Sequence, residues 1–434
     1  MFQTYEDALG WIHARLRLGM KPGLKRMEWM MEKLNHPERR IKTVHIGGTN
    51  GKGSTVTFLR SILQEGKYKV GTFTSPYFEQ FNERIAVNGQ PINDQEIVQL
   101  TNVIKPLSDE LEQTDLGAPT EFEVITAMSF YYFAYVNPVD VVLYEVGLGG
   151  RLDSTNIIHP LLSIITSIGL DHTNILGESY EEIAYEKAGI IKNGVSIITA
   201  VKQPGALKVI RQKAKERKAT CYLLGEQFSV LNHESVSAGE KFSLHSIFQS
   251  YEELELSMMG EHQVENASLA VMATQLLNKY YSFMLEEEHV KNGLKKAYWP
   301  GRFEIMSNSP LVIIDGAHNE EGITTLIHEL EKRYSDKKIN IIFTALSDKK
   351  LDKIIMKLDK IADKITFVDF DFPRAARSEE LFALSQNRNK HLSEDWKKAI
   401  SHEINELNAN EMLVITGSLY FLSEIKPFLV ESFS

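Results

Sequence analysis

Short runs of β-branched and apolar residues alternate with stretches of helical periodicity through most of the chain. The runs predict strands at residues 43–47, 70–74, 141–146, 162–167, 196–200 and 220–224. The periodic stretches predict helices at 54–65, 122–135, 180–191 and 206–217. Strands alternating with helices predict a mainly parallel sheet covered on both faces. Residues 228–259 break the rhythm: polar and apolar positions alternate without a strong helix, so antiparallel β structure is expected there. A long helix from His262 to about Asn278 follows, rich in Ala, Leu and Val. Trp299, Pro300 and Gly301 then interrupt a helical pattern ending near Tyr298, because proline removes a backbone donor and clashes with a helical turn. Beyond them a second series predicts strands at 311–314, 340–344, 365–368 and 412–415. Its helices are expected at 320–334, 350–361, 379–385, 393–404 and 419–430. Two α/β domains, 1–298 and 299–434, are therefore expected.

Composition narrows the function classes. Apolar content of 43% and charged content of 24% are ordinary for a globular protein, and a net charge of −10 argues against a nucleic-acid surface. No apolar run approaches the ~18 residues of a membrane span, so no membrane partner is expected. Glu6, Asp7, Arg15 and Arg17 do not suit a secretory leader. The single cysteine, Cys221, sits in an apolar stretch and reads as a small core residue. A cytoplasmic monomer is the expectation.

Chemistry first appears at residues 43–60. The run Thr43-Val44-His45-Ile46 leads into a loop with Gly47, Gly48, Thr49, Asn50, Gly51, Lys52 and Gly53, and Ser54 and Thr55 open an amphipathic helix. That order suits a phosphate-binding loop. Glycine lets backbone N–H groups approach a polyphosphate, the helix N-terminus adds positive potential, and the lysine adds a full charge. The spacing departs from the common pattern. With Gly51-Lys52 as the GK pair, the first glycine position is held by Ile46, and Gly53 separates the lysine from the hydroxyl. An incidental lysine in a plain turn is the competing explanation, disfavoured because every part falls in order.

Further segments lie at expected strand ends. Glu145 follows Val141-Val142-Leu143-Tyr144. The C-terminal ends of strands in open α/β sheets face the ligand crevice, and a carboxylate there can hold Mg²⁺ beside phosphates. An exposed strand-end glutamate is an equal alternative on these residues alone. Gly147, Gly149 and Gly150 favour close backbone approach, and Arg151 can pair with an anion. His172, after Ser167-Ile168-Gly169-Leu170-Asp171, would share a divalent-ion site with Glu145 if their strands are neighbours. Lys187 lies at the end of a helix, where a solvated lysine is the usual explanation.

Together these segments resemble folylpolyglutamate synthases of the Mur-ligase superfamily, in order, from residue 43 to residue 319. The loop Gly48-Thr49-Asn50-Gly51-Lys52-Gly53-Ser54 is similar to the superfamily's, and the glycine before Ser54 is the variant that resembles folylpolyglutamate synthases. The resemblance implies an α/β fold with an N-terminal P-loop domain, built on a mainly parallel sheet, and a smaller C-terminal Rossmann-like domain. It implies that residues 48–55 hold ATP, with Ser54, Ser75, Glu145 and His172 near Mg²⁺. Lys187 is implied as a lysine that becomes a carbamate and, in that anionic form, a further ligand of the metal site. Asn266 is implied as a nucleotide contact, Arg302 as a group reaching the γ-phosphate, and Asp315 and His318 as part of the motif Asp315-Gly316-Ala317-His318-Asn319 that closes over ATP. The structural alternative for Asn319 is a helix N-cap, and both roles can hold at once. Lys21-Pro22-Gly23-Leu24, inside the segment Leu18 to Arg26, is implied as one wall of a pterin pocket.

The activity implied is ATP-dependent addition of L-glutamate to a reduced folate through an acyl phosphate, with Lys52, Lys187 and Arg302 as catalytic residues. Dihydropteroate as a further acceptor is left open by the residues. Two other classes are a P-loop kinase or GTPase switch, disfavoured by the shifted hydroxyl and the absent guanine-specificity motif, and a Mur-type cell-wall ligase, disfavoured by Gly53. Ser347-Asp348-Lys349 and Thr416-Gly417-Ser418 fall at strand ends, where they can line the cleft.

Overall fold

In the computed structural model, which describes residues 1–19 and 21–433, the apolar runs become the centres of two sheets. Met20, within the segment Leu18 to Arg26, lies outside the described residues. The first sheet contains β1 (Thr43–Gly47), β2 (Val70–Phe73), β3 (Ile85–Val87), β4 (Gln90–Pro91), β5 (Val141–Glu145), β6 (Leu162–Ile165), β7 (Ile197–Thr199) and β8 (Cys221–Leu223). Their order is β4-β3-β2-β5-β1-β6-β7-β8. Only β3 runs against the others, pairing antiparallel with both β2 and β4. Alternation along each strand divides the core. Val44, Ile46, Val141 and Leu143 pack under the helices Lys52–Glu65, Glu261–Tyr281 and Glu287–Lys296. Val142 and Tyr144 face the opposite side, with Asp94–Glu112 and Glu121–Tyr131. Ile165 and Ile197 meet Tyr180–Ala188 and Pro204–Glu216.

Residues 228–256 form the expected antiparallel unit, with β9 (Phe228–Val236), β10 (Gly239–Ser246) and β11 (Tyr251–Leu256) in the order β11-β10-β9. The second sheet contains β12 (Glu304–Asn308), β13 (Leu311–Asp315), β14 (Lys338–Phe343), β15 (Lys364–Val368), β16 (Lys390–Ser393) and β17 (Glu411–Thr416), ordered β12-β13-β17-β14-β15-β16. It is parallel except at the edge strand β12. The helices Glu320–Arg333 and Leu351–Leu358 cover one face, and Trp396–Glu406 and Leu419–Ser432 the other. The fold is thus α/β, with a large, mainly parallel sheet followed by a smaller mixed one.

Three expectations change. The helix after β1 starts at Lys52, two residues earlier than Ser54, so the lysine belongs to its opening turn, with Gly51 as N-cap at φ 87°. The strands carrying Glu145 and leading to His172 are not neighbours, because β1 lies between β5 and β6. Cys221 is half-buried at the edge strand β8 rather than fully enclosed. No helix among the described residues is long and apolar enough to cross a membrane.

Candidate active site

The loop after β1 is shaped by what packs against it. Gly48 has φ 147°, and a Cβ there would lie 1.8 Å from Thr166 Oγ1. A Cβ on Gly51 would lie 2.2 Å from Asn266 Oδ1. Side chains at either position would push the loop off its supports. The segment following β6 braces it. The Thr49 N–H donates to Ser167 O at 2.9 Å, the Asn50 N–H to Ser167 Oγ at 3.0 Å, and Thr166 Oγ1 to Asn50 O at 2.6 Å. Gly53 has a local cause too: a Cβ there would sit 2.9 Å from Trp299 Nε1, against the indole that ends the first series of elements. Thr55, expected at the nucleotide, is fully buried, lines none of the cavities described below, and its hydroxyl has no partner among the described residues.

Charge collects around this loop. Lys52 Nζ donates to the carbonyls of Gly48 and Thr49, each at 3.2 Å, and stands 4.0 Å from Glu145 Oε1. Glu145 is 5% exposed and accepts the Ser75 N–H at 3.3 Å. Burial pushes its carboxyl up, opposed by Lys52, the Ser75 N–H and the more distant Arg302 and Arg84. Lys187 is 4% exposed, not solvated, and donates to Gly48 O at 2.9 Å. Burial, and then the neighbouring charge of Lys52, bring its amine down to about 7. The acidic residues near it in sequence are engaged elsewhere. Glu186 pairs with Arg151 at 2.9 Å, and Glu182 caps its own helix through Ser179. His172 has φ 50°, and burial lowers its pKa below the usual imidazole value, opposed by Asp171.

The loop carrying Glu145 is held by a residue the motif reading left unassigned. The buried Asp153 accepts N–H groups from Leu148 at 2.8 Å and Thr155 at 3.0 Å, and the Thr155 hydroxyl at 2.5 Å. Gly150 has no room for a side chain, since a Cβ would meet the carbonyls of Glu186 and Lys187 at 2.9 Å. Glu83 similarly gathers the N–H groups of Phe78, Glu79 and Gln80, shaping the turn that presents Ser75 and Arg84.

The second sheet reaches across at several points. Asn319 Nδ2 donates to Asn50 Oδ1 at 3.0 Å and Asp171 Oδ2 at 3.1 Å, while Asn319 Oδ1 caps its helix by accepting the Gly322 N–H. The N-cap role weighed for Asn319 is thus present, beside its contacts to Asn50 and Asp171. Lys349 Nζ donates to Asp171 Oδ1 at 2.7 Å, with both side chains at most 10% exposed. Burial disfavours the Asp171 carboxylate, yet Lys349, His172 and His318 hold its carboxyl well below the usual range. His318 Nδ1 donates to Gly316 O at 2.8 Å, and burial followed by Lys349 depresses its pKa to about 4. Asp315 accepts the N–H groups of Phe303 and Ala317, each at 2.8 Å, so it shapes the loop as well as lining the cleft. Asp171 and Lys349 are the partners that motif reading did not pair, because they lie 178 residues apart.

Three cavities follow one another along this junction. The first, of about 300 Å³, is lined by Asn50, Ser54, Gln263, Asn266, Arg302 and Asp315, with Glu321 at its wall. The second, of about 150 Å³, holds the loop from Gly48 to Ser54 together with Ser75, Glu145, His172, Lys187 and Arg302. The third, of about 380 Å³, is lined by Lys21, Pro22, Ser75, Arg84, Phe122 and Tyr420. Arg302 and Ser54 are shared by the first and second, and Ser75 and Gly149 by the second and third. Glu145 and His172 thus meet in one cavity although a strand separates theirs. Arg26 does not lend its charge to the third cavity, because it is tied to the buried Glu123 at 2.9 Å. Thr416-Gly417-Ser418 leads into Leu419 and Tyr420, which line the second and third cavities.

The comparisons with known proteins fall on the same frame. Residues 46–274 match the Mur ligase middle domain, and residues 301–419 match the Mur ligase glutamate ligase domain. The chain is 50% identical over 429 residues to a dihydrofolate synthase/folylpolyglutamate synthase of Bacillus subtilis, covering 99% of this chain and all of the relative. It superposes on Mycobacterium tuberculosis folylpolyglutamate synthase complexed with ADP and AMPPCP with a TM-score of 0.90 at 29% identity, covering 98% of this chain and 99% of that one. A folylpolyglutamate synthase–AMPPCP–folate complex gives 0.87 at 30% identity, covering 99% of this chain and all of that one.

Proposed function

The chain belongs to the folylpolyglutamate synthase family of the Mur ligases, and on that premise we propose that its three consecutive cavities take ATP, the transferring phosphoryl group and a folate carboxylate. The observation that carries this is their order: the glycine loop and its two lysines lie between a cavity with Asn266 and one with a cationic wall. A carboxylate is a poor electrophile. A carboxylate oxygen of the folate attacks the γ-phosphorus, ADP leaves, and an acyl phosphate forms. The amine of L-glutamate then attacks the acyl carbon, and inorganic phosphate departs from the tetrahedral intermediate, leaving the amide.

The residues present suit each part. Lys52 and Arg302 neutralise charge on the phosphoryl group, and the helix beginning at Lys52 points its free N–H groups the same way. Arg84, 9% exposed, lines the third cavity with Lys21 and Arg151, and these cations favour an acceptor ending in carboxylates. Phe122 and Tyr420 offer faces for a flat ring system.

A Mg²⁺ ion fits the donor set. Among the described residues no group of three acidic, histidine or cysteine side chains forms a cage. Mg²⁺ takes few protein ligands and completes its shell with phosphates and water, so one buried carboxylate with hydroxyls is sufficient. Glu145 would hold it, with Ser54, Ser75 and His172 around it, and the ion would supply charge neutralisation at the phosphates. Lys187 is the carbamate lysine of this reading. A carbamate forms only from a neutral amine attacking CO₂ with loss of a proton, and the buried amine near 7 supplies that form. Lys187→Ala should lose turnover, with partial recovery on adding small carboxylic acids. Full activity of the unsupplemented variant would remove the carbamate from the account.

The 50% identical relative carries both activities in its name, which favours dihydropteroate as a second acceptor here. The test is phosphate release and product mass with ATP, L-glutamate and either a reduced folate or dihydropteroate. The expected result is turnover only when all three substrates are present, with one glutamyl residue added. Extension of a UDP-linked peptide instead would move the chain to the cell-wall ligases, and fast ATP hydrolysis without acceptors would favour a switch.

A further inference from the structure

One buried ionic cluster lies outside all three cavities. Glu240, on β10, has a side chain with no exposure and accepts from four directions. His233 Nε2 lies 2.8 Å away, Ser235 Oγ 2.7 Å, the Gly260 N–H donates at 2.6 Å, and the Arg333 guanidinium closes the set. Arg333 ends the helix Glu320–Arg333 under the second sheet, is 9% exposed, and also donates to Glu329 Oε2 at 3.2 Å and Val236 O at 2.8 Å. Glu329, 1% exposed, accepts the Glu261 N–H at 2.9 Å.

Two of these contacts fall on one place. Gly260 and Glu261 are the N-cap and first residue of the helix Glu261–Tyr281. The first N–H groups of a helix have no partner within it. Gly260 offers no side chain to cap them, so two carboxylates do so instead, one from β10 and one from the helix of the second sheet. The next turns of that helix carry Gln263 and Asn266 into the first cavity. Asn266 Nδ2 donates to Gln263 Oε1 at 3.1 Å, and Asn266 Oδ1 lies over the Cα of Gly51 in the phosphate loop. The opposite end of Glu320–Arg333 is fastened as well, through Asn319 to Asn50 and through Glu321 Oε1 to the Leu170 N–H at 2.8 Å. The helix of the second sheet is therefore clamped at both ends onto the elements that wall the first cavity.

We propose that Glu329 and Arg333 are positioning residues for the nucleotide, acting through the helix start at Gly260–Glu261, which sets the distance between Asn266 and the phosphate loop. This rests on the reading of the first cavity as the nucleotide site. Neither residue touches that cavity. Their effect is on binding of ATP and not on the chemical step.

The experiment compares Glu329→Leu with Glu329→Gln in the full chain, by steady-state kinetics and by calorimetric titration with the non-hydrolysable analogue AMPPCP. Glutamine keeps an acceptor for the Glu261 N–H, and leucine removes it. Glu329→Leu is expected to raise KM for ATP and Kd for AMPPCP about tenfold, the size of one lost buried hydrogen bond. Its kcat and the KM values for folate and L-glutamate should stay within about twofold. Glu329→Gln is expected to stay near wild type in all of them. If Glu329→Leu does not fold, Arg333→Lys, which keeps the charge but loses the fork, is expected to show the same rise confined to ATP. An unchanged Kd for AMPPCP in these variants, or equal losses in kcat and in every KM, would overturn the proposal. Failure of the wild-type chain to bind AMPPCP would overturn the nucleotide-site reading itself, and the proposal with it.

Discussion

The two sheets contribute to one cleft in different ways. The first delivers its groups from strand ends that lie side by side: the loop after β1, Ser75 after β2, Glu145 ending β5, and Asp171 and His172 after β6. Its lysines are already turned inward, with Lys52 and Lys187 both donating to Gly48 O. The second sheet supplies fewer groups, and most are bonded to the first: Asn319 to Asn50, Lys349 to Asp171. The contrast separates chemistry from closure. On the proposed reading the first sheet would hold the charge that a phosphoryl transfer needs, and the second would close over it and keep water from an acyl phosphate.

The largest expected effect is on the chemical side. Lys52→Ala removes one full charge from a buried site, at a cost of about 2.7–4 kcal/mol of transition-state stabilisation by analogy with a lost oxyanion donor. Turnover should fall by about 10²–10³-fold, with an unchanged circular dichroism spectrum and thermal midpoint. Near-normal turnover in a folded variant would remove the loop from the mechanism.

Lys349→Met probes closure. Removing one member of a buried pair leaves the other charge uncompensated, at a cost of about 2–5 kcal/mol when the pair spans an interface. A fall of about 10²-fold in kcat/KM is expected, together with faster acceptor-independent ATP hydrolysis because the cleft closes less well. A variant that loses rate without any leak to water would assign Lys349 to chemistry and blur the division between the sheets.

The contrast also explains what could be read from sequence. The first sheet's central strands were legible because Val44, Ile46, Val141 and Leu143 are buried in continuous β-branched runs. Its chemistry was legible because each group sits within a few residues of its strand end. Of the edge strands of the two large sheets, β8 matches the run at 220–224, but β4, β12 and β16 were not legible. β16, Lys-His-Leu-Ser, is polar and largely exposed, so its last residue, Ser393, reads as the start of the next helix, which begins at Trp396 under an Asp395 cap. β12 is half-exposed and antiparallel, and carries no apolar run. The helix Asp94–Glu112 is additional to the expected elements, with Pro106 inside its pattern. The pairing of Lys349 with Asp171 has no local signature, since it exists only once two sheets meet. The departure at Gly53 was visible as a motif, but its cause, the Trp299 ring, was not.

Gly53→Ala gives the smallest expected effect and tests that contact. Alanine favours the helix by about 1 kcal/mol, while overpacking costs about 1–3 kcal/mol. The net loss should be about 1 kcal/mol in denaturant unfolding, and it should vanish in a Trp299→Ala background. A loss that persists there would place the constraint in the loop backbone instead.

The central claim is that the second cavity joins ATP to a carboxylate held in the third, and isotope transfer tests it most directly. The folate carboxylate is labelled with ¹⁸O and turned over with ATP and L-glutamate, and the released phosphate is analysed by mass spectrometry. The account predicts one ¹⁸O atom in each phosphate, carried across from the acyl phosphate. Phosphate released without label, while glutamylated product accumulates, would contradict it.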